Sequence, residues 1–153
     1  MEAHMIQGKW FAPGTPVAGD VISVREAVFG RGTDDLDTLS WNAAVYSDGT
    51  PCAAGRIWWE GGAYWLGDIC VLESWRGRRL GDLVLRLLLF KAQSHSAVEV
   101  RLLAPENVTG FFARMGFQPA GRRGDLVEMQ IPGNRIELDT CKNCTKADCP
   151  NRQ

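Results

Sequence analysis

The sequence predicts a single α/β (α+β) domain: a central mixed, mostly antiparallel sheet of about six to seven strands, flanked by about three to four helices. Three observations lead there. Short runs rich in β-branched and aromatic residues follow one another through the first half of the chain, separated by Asp-Gly and Gly-Gly steps that favour hairpins. An apolar run at 64–72 passes through an arginine-glycine turn into a long apolar helix and then a further strand-like run, which is the order of a parallel crossover. The length of 153 residues fits one such unit and is short for two.

Residues 5–11 alternate loosely around Trp10 and make a first strand, ended by Ala12-Pro13-Gly14. Thr15 and Pro16 offer a cap and a first helical position, and Val21, Val24 and Val28 supply the apolar face of a helix over 16–29, closed by Gly30 and Gly32. Residues 33–38 are acidic and turn-like, in composition a solvated loop. Runs at 40–46 and 52–60 are strands joined through Asp48-Gly49, and Gly61-Gly62 turns the chain into the run at 64–72. That run carries no charge except Asp68, which suits a central strand buried on both faces. Neighbouring strand residues face opposite ways, so one of Trp58 and Trp59 enters the core while the other is free to line a pocket.

After the turn, Leu83, Val84, Leu87, Leu88 and Phe90 make the helix at 82–91 apolar nearly all round, which predicts deep burial. Residues 97–103 alternate as a fifth strand. Ala104-Pro105 begins a short helix whose apolar side is Phe111, Phe112 and Met115, with Gly116 at its end and Phe117 as the accompanying contact. Residues 126–131 form the last clear strand.

The junction at 73–82 favours an anion. A helix start carries unpaired N–H groups and the positive end of the dipole, and Gly77 and Gly81 allow close approach while Arg76, Arg78 and Arg79 add charge. A plain strand-to-helix turn with solvated arginines has the same composition. Overall the charges nearly cancel, at −1, so no global field draws in nucleic acid or an anionic membrane surface. No apolar run reaches the length of a membrane span, and the first residues lack a signal peptide's basic and apolar regions, so a cytoplasmic protein is expected.

Trp75-Arg76-Gly77-Arg78-Arg79-Leu80-Gly81-Asp82, after a strand ending Ile69-Cys70-Val71-Leu72, resembles the acetyl-CoA loop of the GCN5-related N-acetyltransferases, the GNAT superfamily. The family pattern is Arg/Gln-x-x-Gly-x-Gly/Ala; Arg76 and Gly81 match its ends and Arg79 stands at the middle glycine. Gly110-Phe111-Phe112-Ala113-Arg114-Met115-Gly116-Phe117 resembles the family's FYEKxGF segment, and residues 24–29 are similar to the RxxVF helix of one bacterial branch. The resemblance spans roughly residues 22–131.

It implies the acyl-CoA N-acyltransferase fold, with the sheet splayed between the fourth and fifth strands and the pantetheine arm of acetyl-CoA in the gap. Backbone groups of Ile69, Cys70 and Val71 would hold that arm, Arg76, Gly77, Arg78, Arg79, Leu80, Gly81 and Asp82 the pyrophosphate, and Phe112 would stand at the position of the family's tyrosine acid. The implied reaction is acetyl transfer to a primary amine by direct attack in a ternary complex. In this family the loop after the first helix borders the acceptor, so the acidic 33–38 segment would favour a cationic small amine or peptide.

A protonated alkylamine, with a pKa of about 10.4, must lose its proton before attack. Asp68 is the first candidate for that task and Glu73 the second, with Glu60 and Glu99 also near the junction; Asp68 could equally anchor the acceptor or pair with an arginine. Phe112 has no proton to give, but a thiol with a pKa of about 8.5 leaves readily as thiolate. A regulator that senses acyl-CoA without turnover is the alternative reading.

The resemblance divides the chain into an acetyltransferase domain at 1–135 and a cysteine-containing tail at 136–153. Cys52 and Cys70 fall in strands, as small buried hydrophobes. Cys141, Cys144 and Cys149 could bind zinc, with a fourth ligand from His4, His95, Asp148 or a cysteine of a second copy in a homodimer; a redox thiol pair and a simple disulfide explain them as well.

Overall fold

The computed structural model describes residues 5–138. Strands β1 (Ile6–Phe11), β2 (Trp41–Ser47), β3 (Thr50–Glu60), β4 (Ala63–Val71), β5 (Glu99–Pro105), β6 (Gln118–Arg123) and β7 (Leu126–Pro132) form one sheet in the order β1-β2-β3-β4-β5-β7-β6. Every neighbouring pair is antiparallel except β4 and β5. The helices are α1 (Gly19–Phe29), α2 (Leu80–Ser94) and α3 (Thr109–Ala113).

The apolar stripe of α2 builds the main core. Val84, Leu85, Leu88 and Leu89 are fully buried against Ala43, Val45, Ala53, Ile57, Leu66, Val100 and Leu102. Gly55 lets α2 approach, since a Cβ there would lie 2.7 Å from Val84 Cγ1. On the opposite face, Val21 and Val24 of α1 pack on Ala44, Tyr46, Ala54 and Cys70. Only the β2–β4 half of that face is covered by α1. β5 and β7 therefore alternate strictly, one side buried and the other half-buried.

The expected splay is present. β4 and β5 pair only where Tyr64, Trp65 and Leu66 meet Val100, Arg101 and Leu102. Beyond Leu66, β4 follows β3 while β5 follows β7 to Pro105, so one edge of β4 is left without a strand partner. At the same point the β3–β4 register shifts, and Asp68 takes a left-handed conformation, φ 52°, as the extra residue of a bulge.

Several expectations are corrected. α1 starts at Gly19 rather than Pro16, because Thr15 Oγ1 donates to Ala12 O and ties up the preceding turn instead of capping a helix. The acidic segment is not a solvated loop: Asp35–Thr38 is a 3-10 turn capped by Asp34, with Asp37 buried. β4 is not buried on both faces: only Ala63, Leu66 and Cys70 are buried, and beyond Leu66 one of its edges has no strand partner. Phe90 is exposed rather than deep. Pro105 ends β5 and does not start a helix. β6 was not foreseen.

Beyond β7 the chain returns along α2. Ile136 is buried in the core, Gln93 Nε2 donates to Ile136 O, and Arg86 Nη1 donates to Leu138 O. Among the described residues no helix is long and apolar enough to cross a membrane.

Candidate functional site

At the end of β4 a short 3-10 turn, Glu73–Trp75, breaks the strand, and Arg76 Nε donates to Val71 O at 3.1 Å, folding the loop back on the strand it leaves. Gly77 (φ 82°) and Arg79 (φ 61°) both take left-handed conformations, which turn the chain into α2. The first helical bond of α2 runs from Leu83 N to Arg79 O. The N–H groups of Leu80, Gly81 and Asp82 precede it and have no helical acceptor.

These groups face a cavity of about 390 Å³, bounded on the loop side by Arg76, Gly77, Arg79, Gly81 and Asp82 and across from them by Phe111, Arg114 and Met115. Four arginines line it, Arg76, Arg79, Arg86 and Arg114, against one carboxylate, Asp82, which is paired with Arg86 at 2.9 Å. A Cβ on Gly81 would stand 3.7 Å from both Val71 and Phe111, in ordinary contact with each, so a larger side chain there would crowd the space between them. A strongly cationic, partly apolar cavity at a helix start suits a phosphate-bearing ligand with an organic arm.

Of the residues that the resemblance assigned to the cofactor, Val71, Arg76, Gly77, Arg79, Leu80, Gly81 and Asp82 line this cavity. Arg78 does not; its guanidinium lies 4.7 Å over the Trp75 ring. Phe112 does not either, being packed into the core beside Phe117 while Phe111 presents its ring to the cavity. Adjacent residues of a helix point about 100° apart, so only one of the two phenylalanines can face the ligand side. Ile69 and Cys70 lie on β4 beyond its last pair with β5. Burial, with the Asp68 charge nearby, pushes the Cys70 thiol up to about 12. Glu73 is exposed and outside the cavity lining.

Asp68 belongs to a buried charge network. Arg31 donates through Nη1 and Nη2 to the two Asp68 oxygens, while Arg25 Nε and Arg56 Nη2 each lie 3.4 Å from Oδ2. Arg25 also donates to Asp37 (2.9 Å), Gly32 O and Asn42, and Arg56 to Asp34 (2.6 and 2.8 Å) and Asp37 (3.1 Å). Three guanidiniums thus balance three carboxylates. The hydrogen bond from Arg56 holds the Asp34 carboxyl below its ordinary range. Burial pushes Asp37 up, but the Asp34 N–H together with Arg25 and Arg56 outweighs it and leaves Asp37 lowered. Asp35 alone of the three acids makes no ion pair among the described residues.

Neither tryptophan of the adjacent pair is in the core. Trp58 is half-buried, its ring over Gly67 and 5.3 Å from the Arg56 guanidinium, whereas Trp59, next to it on the opposite face of β3, is exposed against Tyr64. Among the described residues no group of three or more His, Cys, Asp or Glu side chains could hold a metal. Cys141, Cys144 and Cys149, with His4 and Asp148, lie outside the described residues.

The sequence profile of the acetyltransferase (GNAT) domain matches residues 41–119, just over half of the chain, from the start of β2 into the start of β6. The chain belongs to the GNAT acetyltransferase family. No curated protein sequence matches it significantly. Solved structures share the GNAT fold: an acyl-CoA N-acyltransferase from Pseudomonas aeruginosa superposes with a TM-score of 0.72 at 17% identity, covering 82% of this chain and 99% of that one. A GNAT family acetyltransferase from Elizabethkingia anophelis, with acetyl-CoA bound, gives 0.63 at 14%, covering 83% and 97%. The paia N-acetyltransferase from Thermoplasma acidophilum, in complex with coenzyme A, gives 0.55 at 14%, covering 60% and 59%.

The GNAT loop was readable as a contiguous motif; Phe111, Arg86, Arg114 and the network around Asp68 were not assigned from sequence. The available signal was charge inside apolar elements. Arg25 falls on the Val21–Val28 face of α1, and Arg56 follows Ala53-Ala54-Gly55 in a strand.

Proposed function

We propose that this chain is an N-acetyltransferase that moves the acetyl group of acetyl-CoA to a primary amine by direct attack in a ternary complex. The observation that carries the reading is the arginine-lined cavity at the start of α2, which meets the unpaired edge of β4 at Val71 in a chain of the GNAT family. The bound acetyl-CoA and coenzyme A of the Elizabethkingia and Thermoplasma proteins support it.

Acetyl-CoA supplies a thioester that an amine can attack, with coenzyme A leaving as thiolate. Arg76, Arg79, Arg114 and the free N–H groups of Leu80 to Asp82 meet its phosphates. The backbone of β4 from Gly67 to Val71 offers hydrogen bonds to the pantetheine arm, and one N–H of this segment stabilises the carbonyl oxygen as charge develops. Asp68, with both oxygens engaged by guanidiniums, fixes the bulge that presents this backbone; proton removal falls to Glu73 or to water. The amine approaches from the face left open by α1, past Trp58 and Trp65. Because Arg56 and Arg25 neutralise Asp34 and Asp37, any preference for a cationic acceptor rests on Asp35.

The test combines calorimetry with acetyl-CoA and a panel of small amines and peptides, read by thiol release and by mass shift of the amine. Binding with a mass gain on at least one amine is expected. Tight binding without transfer to any amine would favour the second reading, an acyl-CoA-responsive regulator, which the aprotic Phe112 and the engaged Asp68 motivate. Gly81→Val, which crowds the space between Val71 and Phe111, should weaken acetyl-CoA binding in a protein that still folds.

A further inference from the structure

Arg123 ends β6 beside the turn Gly124-Asp125 that leads into β7. Its side chain reaches back across the sheet face that α1 leaves open, where its guanidinium stacks 5.0 Å over the Trp65 ring and lies 3.2 Å from Glu128 Oε1. β7 and β5 lie between β6 and β4 in the sheet, so this arm crosses two strands to meet the indole. Both surfaces that receive it are fixed by other contacts. The Trp65 indole donates through Nε1 to Glu60 O at 3.2 Å, and Glu128, only 14% exposed, keeps Arg101 Nη1 3.3 Å from its Oε2. Arg101 is in turn held by Glu99 at 2.8 Å. Arg123 itself stays more than half exposed, and an ion pair with so exposed a partner adds little stability.

These contacts stand where an acceptor enters. Glu128 is paired with Leu103, the first β5 residue past the last pair with β4, and Trp65 lies two residues before Gly67, about 7 Å along the strand. An indole face flanked by a carboxylate receives a planar cation, and the chain's own guanidinium shows the fit. We infer that the Trp65–Glu128 site is a specificity site for the acceptor: it takes a guanidinium tethered by a short alkyl chain to the primary amine, and Arg123 is the internal group that this cation displaces. The inference rests on the amine-acetylating reading of the chain. The acidic turn offers a cation only Asp35, on the α1 side of the face, so the site on the β7 side is the one that chooses among acceptors. A guanidinium is flat enough to stack and more weakly hydrated than an ammonium, which favours it here. A butylene chain spans the interval from Trp65 to the Gly67 backbone.

Agmatine, n-butylamine and putrescine test this, since they share a butyl chain and a primary amine and carry a guanidinium, nothing or an ammonium at the far end. In the parent, kcat/KM for agmatine should exceed that for n-butylamine by about tenfold, the worth of one charge-assisted contact. Arg123→Ala removes the internal competitor, so KM for agmatine should fall by about threefold with kcat unchanged, while n-butylamine, which makes no use of the site, keeps its KM. Glu128→Gln should erase the advantage of agmatine, with Trp65→Leu as the second variant if the first does not fold. Coenzyme A affinity, read by calorimetry, should be the same in every variant.

Equal falls in KM for agmatine and n-butylamine in Arg123→Ala would make Arg123 a steric barrier with no cation site beneath it, and overturn the inference. An agmatine advantage that survives Glu128→Gln and Trp65→Leu overturns it as well, and putrescine equal to agmatine overturns the choice of a guanidinium. Absence of transfer to every amine in a protein that binds coenzyme A strikes the acetyltransferase reading instead. Calorimetry then decides the site alone: agmatine should bind Arg123→Ala more tightly than the parent, and equal binding removes the site.

Discussion

A methyl group added at Gly67 would fall 2.9 Å from two ring atoms of Trp58, closer than real Cβ atoms come, so this glycine is required by the indole packed on it. Gly67→Ala should cost about 1–3 kcal/mol, the usual range for overpacking, read as a drop in urea midpoint at constant m-value. Trp58→Leu should recover part of that loss in a double-mutant cycle; additive effects would show that the two residues do not press on each other. The next residue carries a different kind of constraint. Asp68→Asn leaves Arg25 and Arg56 buried with less counter-charge, and the cost should approach the roughly 3–5 kcal/mol of a broken buried pair. If Asp68 positions the bulge, the variant is slower but the shape of its pH–rate profile is kept. Disappearance of one limb of that profile would return Asp68 to the role of base.

At the scale of elements, the arginine-aspartate network ties α1 and the Asp35–Thr38 turn to β3 and β4. Its aspartates set the acid stability. Asp34 and Asp37 have folded-state values below the reference of 3.8, so their contribution is complete above that value and is lost as pH falls through the lowered values. The urea midpoint should be level from neutrality to about pH 5 and then drop, and Asp37→Asn should shrink that drop; an unchanged acid limb in the variant would remove Asp37 from it. Solvent screening at the half-exposed Asp34 makes it the smaller contributor. The network also shows what a sequence can carry. β2, β3, β5, β7 and α2 were readable because their apolar periodicity survives in single segments. β6 was not, because all six of its residues are exposed and Pro119 and Gly121 flank a register shift. Of the charges in apolar elements only Asp68 was singled out; Arg25 and Arg56 were not, and their partnership with it depends on a bulge that places Asp68 on the α1 face, a register that no local pattern encodes. The arginine-glycine turn before α2 was legible because its motif is contiguous in sequence, whereas Phe111 rather than Phe112 facing the cavity depends on the phase of a five-residue helix.

The whole molecule is a sheet in two parts, β1 to β4 and β5 to β6, joined at the parallel seam by only three paired residues on each strand and bridged by the core under α2. A ligand whose arm lies in the parted segment would supply hydrogen bonds to both sides that the sheet itself lacks, so binding and folding should be coupled there. At a hundredfold excess over Kd, coenzyme A should add about 2.7 kcal/mol, or roughly 5–10 °C in Tm for a domain of this size. Where the added protection falls tells more than its size. Amide exchange should slow at residues 69–71 and 103–104 on the two sides of the gap, as well as at 76–83, while β1 and β2 are unaffected beyond the global gain. Protection limited to 76–83 would leave the phosphates in their loop but take the pantetheine arm out of the gap, and with it the argument that the thioester reaches the Asp68 bulge.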